Sequence, residues 1–116
     1  MARARSFLGA AAVLREHGYL ADAASRAYYA IFTAARAALL AQDIEARTHN
    51  GVRRAFSDQF VRTGAVEEDL GRWFSRAEQF RTLADYDPDA LVDPEEVDTL
   101  MTLSEAFIST IEALVR

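Results

Sequence analysis

The chain has 116 residues, with 13 basic and 18 acidic side chains and no cysteine. Disulfides, thiolate metal sites and cysteine nucleophiles are therefore excluded. The net charge of −5 argues against broad, charge-driven binding to nucleic acid, although it leaves room for a local basic site. One domain over residues 1–116 fits this length, and a chain of this size buries enough surface for a core without staples.

Twenty-three alanines and two prolines favour helix nearly throughout. The first predicted helix runs from about Ala2 to His17 and stops at Gly18, a natural C′ residue. The second spans about Leu20 to Ala41. It is apolar almost all round from Ala27 onward, so it should be central, with alanines letting its neighbours approach closely. After a connector, Gln42–Arg47, Thr48 caps a third helix from His49 to about Arg62, ending at Gly64. A fourth covers about Val66 to Asp85, before the turn-rich Asp87-Pro88-Asp89. The fifth opens with Asp93 as N-cap, Pro94 at N1 and Glu96 at N3, a capping-box-like start. Its apolar stripe is Val97, Leu100, Met101, Ser104, Phe107, Ile108, Ile111, Leu114 and Val115. The fold class is all-α, an up-and-down antiparallel bundle of about five helices. The longest apolar run, Ala27 to Ala41, contains Arg36 and falls short of a bilayer span, so a cytoplasmic protein without membrane association is expected.

Charge is unevenly spread. Residues 1–62 hold nine Arg against five acids, and residues 63–116 hold four Arg against thirteen. There is no lysine. Arginine suits carboxylate and phosphate forks, though genome composition alone produces such a bias.

The informative residues break the apolar pattern. On the fourth helix the stripe is Leu70, Trp73, Phe74, Ala77 and Ala84, and Arg81 falls within about 20° of Leu70. A guanidinium there must be paired or line a cleft, and Asp85 is four residues away. A structural ion pair and an anion-contacting arginine are equally compatible with that spacing. On the second helix Asp22, Arg26, Tyr29, Thr33 and Arg36 share one face, with Tyr28 and Tyr29 able to add hydroxyls. This line is either a solvated face or the partner of Arg81 and Asp85. His49, beside Arg47, Arg53 and Arg54 at a helix start, is an anion-site candidate or a plain capping histidine. Glycine-rich phosphate loops, a HExxH pair and a placeable Ser-His-Asp triad are absent from the sequence.

Ala23-Ala24-Ser25-Arg26-Ala27-Tyr28-Tyr29-Ala30-Ile31-Phe32, Thr48-His49-Asn50-Gly51 and Arg81-Thr82-Leu83-Ala84-Asp85-Tyr86 together resemble the HEPN family (higher eukaryote and prokaryote nucleotide-binding domains). The resemblance is closest to its small stand-alone prokaryotic branch. It implies a helical bundle, usually a homodimer, that binds a nucleotide or a minimal nucleotidyltransferase as one half of a toxin–antitoxin-like pair. No other cofactor and no metal are implied. Arg26, Tyr29, Arg81, Asp85 and Tyr86 would form the polar cleft, with His49 as an outer candidate. Many members resemble metal-independent RNases that use Arg, four to six residues, then His. Here Arg81 matches the Arg, but positions 86–88 are Tyr86, Asp87 and Pro88, so the usual acid–base histidine is missing. The resemblance thus leans away from catalysis. Tyr86 is the nearest positional match for a tyrosine that a nucleotidyltransferase modifies. An RNase toxin acting on RNA with another base, and a non-catalytic structural interaction module, are the competing expectations.

Overall fold

The computed structural model describes residues 1–86 and 92–115. The Asp87-Pro88-Asp89 turn and the Ala84 side chain expected above lie outside the described residues. Within them the chain forms five α-helices and no strand: α1 (Ala2–Glu16), α2 (Leu20–Leu40), α3 (His49–Phe56), α4 (Glu68–Tyr86) and α5 (Pro94–Leu114).

The helix ends follow from local chemistry. Gly18 takes φ +83° after α1, and the Tyr19 and Gly18 amides donate back to the carbonyls of Leu14 and Arg15. That pattern satisfies the last carbonyls of a helix through a left-handed residue, which glycine adopts without strain. Asp43 plays the same part after α2 at φ 59°. Thr48 Oγ1 accepts from the Gly51 amide at 2.9 Å. A Cβ at Gly51 would lie 2.7 Å from that oxygen, so glycine lets the cap close. At α5, Asp93 accepts from the Glu95 amide, as an N-cap should. Glu96 corrects the expected capping box. Its carboxylate accepts from Arg76 of α4 at 3.2 Å instead of turning back to the Asp93 amide.

The third helix also departs from expectation. After Phe56 the hydrogen bonding widens, and Ser57–Val61 form a π-helical segment. The Arg62 amide reaches back five residues to the Ser57 carbonyl at 2.9 Å. Val61 then packs against Gly71 of α4, where a Cβ would sit 3.0 Å from a valine methyl.

α2 runs through the middle. Ala23, Ala24, Ala27, Ala30, Ala34, Ala35 and Ala38 are fully buried, and α1, α3, α4 and α5 all pack on this helix. Small side chains are what permit so many neighbours at once. The largest core members are Tyr28, Phe56, Phe74 and Phe107. Phe107 lies 5.2 Å from Phe56 and 5.9 Å from Phe74, between ring centroids. The α5 stripe buries Val97, Leu100, Ser104, Phe107, Ile108 and Ile111, while Leu114 and Val115 remain partly exposed at its end. Ser104 is fully buried, and its hydroxyl donates to the Leu100 carbonyl and lies 3.3 Å from that of Ala27. Two arginines clamp α1 antiparallel to α5: Arg5 to Glu105 and Glu112, and Arg15 to Asp98. No helix among the described residues is long and apolar enough to cross a membrane.

Candidate functional site

An open groove of about 1130 Å³ runs along the outer face of α2. The polar line Asp22, Arg26, Tyr29, Thr33 and Arg36 forms its floor. Those residues recur every three or four positions, so they face one way for about 21 Å of helix. α1 contributes Arg3, Phe7 and Leu14, and the last turn of α4 contributes Asp85.

The arginines of this groove differ from the rest. Eight described arginines have a carboxylate within ion-pair distance, namely Arg5, Arg15, Arg47, Arg53, Arg62, Arg72, Arg76 and Arg81. Among the described residues, four have none, and three of those four, Arg3, Arg26 and Arg36, line this groove. Arg36 also has a buried Nε without a hydrogen-bond partner. Arg3 and Arg26 both stand over the Phe7 ring, at 5.7 and 5.9 Å. Tyr29 lies 5.9 Å from the same ring. Cations with spare donors beside aromatic faces suit a ligand that carries both anionic and π surfaces.

Behind the groove sits a buried polar cluster. Arg81 points inward, its side chain 19% exposed and its Cζ 5.2 Å from the centroid of the Tyr28 ring. Its Nη1 donates to Asp85 Oδ2 at 2.9 Å, and its Nε is buried without a partner. Tyr28 is fully buried, and its hydroxyl meets His49 Nδ1 at 2.5 Å. Burial pushes the Tyr28 phenol above its usual range. The Glu78 carboxylate adds to this, the Arg81 charge works against it, Tyr29 adds a little, and Arg53 opposes. A phenol held protonated has a proton to donate, and Nδ1 accepts it; the imidazole proton then resides on Nε2. The His49 ring also packs on Phe32, 4.7 Å away. Glu78 is paired with Arg53 at 3.3 Å.

The six residues singled out from sequence thus fall in three places. Arg26, Tyr29 and Asp85 line the groove. Arg81 and His49 belong to the buried cluster, on opposite sides of Tyr28. Tyr86 is 85% exposed and lines neither. Tyr28, Phe7 and Glu78 matter more to this geometry than their sequence positions suggest. Glu78 stands three residues before Arg81, and that spacing was the available signal for it. No group of three or more His, Asp or Glu among the described residues is placed to hold a metal ion.

Fold and groove together define an all-α bundle domain with unpaired cations displayed along its central helix. A model of the HEPN domain matches residues 1–114, and the chain belongs to the HEPN family. It is 35% identical, over 97% of its length and 86% of the relative's, to a "UPF0332 protein" of Thermotoga maritima. It is 37% identical to a Methanocaldococcus jannaschii protein named "Putative toxin MJ0605", over 90% of this chain and 78% of that one. A second protein of the same organism, "Putative toxin MJ0142", is 31% identical over 75% of this chain and 59% of its own length.

Proposed function

We propose that the α2 groove binds a nucleotide, and that the protein is the HEPN half of a toxin–antitoxin-like pair. The observation that carries this reading is the gathering of Arg3, Arg26 and Arg36, without carboxylate partners, around Phe7 and Tyr29. Arg26 and Arg36 contact phosphate, and Phe7 and Tyr29 offer faces to a base. The toxin-like names of two relatives support the pairing. A minimal nucleotidyltransferase fits as the partner, with the exposed Tyr86 phenol within its reach, and a homodimer is the assembly.

The test is calorimetric titration of the protein with adenosine triphosphate. Arg26→Ala combined with Arg36→Ala should weaken binding at least about tenfold, the loss of one charge-assisted contact or more. Absence of heat at millimolar nucleotide, alone or with the partner, would refute the reading. Catalysis on RNA is the second reading, favoured by the same toxin-like names. It requires RNA cleavage by the purified protein that Arg81→Ala abolishes while helicity is kept.

A further inference from the structure

Asp85 is placed against the rules of helix stability. It lies in the last turn of α4, where the helix dipole disfavours a carboxylate. Its partner Arg81 precedes it by four residues, the less favourable order for such a pair. Local helix energetics therefore do not account for this residue. The groove does. Asp85 lines it and Arg81 does not, so the carboxylate stands between the guanidinium and the space in front of it. Arg81 itself is committed on every other side. It lies over the buried Tyr28 ring, and its Nε has no partner and no water access. Only the end held by Asp85 faces outward.

We infer that Asp85 is a resident counter-anion: it occupies the guanidinium of Arg81 in the empty groove and is exchanged for the phosphate of an incoming nucleotide. This rests on the nucleotide reading above and adds a gate to it. Binding must break a 2.9 Å charge-assisted contact before Arg81 can be used. The Asp85 side chain is 47% exposed, so once released its carboxylate can turn into water at small cost. Ligands with too little anionic charge to displace it are rejected.

A double-mutant cycle tests the exchange, read as the affinity for adenosine triphosphate by calorimetry. Asp85→Asn should tighten binding about tenfold in the otherwise unaltered protein, which is about 1.4 kcal/mol. In an Arg81→Met background the same change should give less than about a twofold gain, since no guanidinium is left to liberate. Asp22→Asn controls for simple removal of negative charge, because Asp22 lines the groove too. Equal gains from Asp85→Asn in both backgrounds, or no larger a gain than from Asp22→Asn, would overturn the exchange and leave the nucleotide reading intact. Failure of every variant, parent included, to bind would remove the nucleotide reading and the gate with it. Asp85→Asn alone, at an exposed position, decides between tightening and no change should Arg81→Met not fold.

Discussion

Replacing Tyr28 by Phe isolates one buried hydroxyl and predicts two effects of opposite pH dependence. The ring stays, so its contacts with Tyr29, Phe32 and Phe74 and the stacked Arg81 are kept. What is lost is the hydrogen bond to His49 Nδ1. His49 is partly exposed, so water can replace the phenol there. At neutral pH the cost should be that of one ordinary hydrogen bond, about 1 kcal/mol. Alkaline pH reverses the balance. The folded phenol is held above its usual range, so the unfolded chain ionises first. Stability from the protonated phenol is complete below about pH 10 and declines as pH rises from there. By about pH 11 the parent should have lost about 1.4 kcal/mol through this one group, and Tyr28→Phe none of it. The two proteins should therefore differ at neutral pH and become equal near pH 11. Urea unfolding followed by helix ellipticity at both pH values measures this, with an unchanged denaturant slope as the check on mechanism. A variant as stable as the parent at pH 7, or a gap independent of pH, would refute the buried phenol–imidazole contact.

Phe107→Ala empties the space between Phe56 and Phe74, and should cost about 3–5 kcal/mol. Thermal melting should fall by more than about 10 °C; a small shift would mean the site collapses freely. Asp98 titrates below its usual range because Arg15 hydrogen-bonds its carboxylate, with partial burial opposing. The stability of that pair is present above the unfolded pKa and disappears as pH falls through the lowered folded value. The deficit of Asp98→Asn relative to the parent should thus be largest near neutrality, vanish in strong acid and shrink in molar salt. A deficit constant across acid pH would show that the Arg15–Asp98 clamp contributes nothing through charge.

The parts legible in the sequence were those carried by period. The α5 stripe and the all-round apolarity of α2 state their burial in one dimension, because three- and four-residue steps map directly onto a helix face. Arg81 was legible for the same reason: a charge in register with Leu70 and Phe74 must turn inward. Contacts between helices were not. The Tyr28–His49 bond joins residues 21 apart, and only the packing of α3 on α2 creates it. The helix start at His49 suggested capping, and no local pattern names its phenolic partner. Glu96 matched a capping signature, yet a tertiary arginine competes for the same carboxylate and takes it. Tyr86 shares the helix of Arg81 and Asp85, but five residues beyond Arg81 it emerges on the solvent side. The absence of carboxylate partners for Arg3, Arg26 and Arg36 depends on where every acid lies, which no spacing rule reports.

The widened turn at Ser57–Val61 amounts to one additional residue within an otherwise regular coil. Removing a single residue there would return the segment to ordinary winding and rotate all that follows by about 100° relative to what precedes it. Phe60, now 5.1 Å from Phe56, would swing off the aromatic cluster, and Val61 would leave its seat on Gly71. Chain length in this short stretch is consequently less tolerant of change than its residue identities, and an indel there is a phase error rather than a trimmed loop.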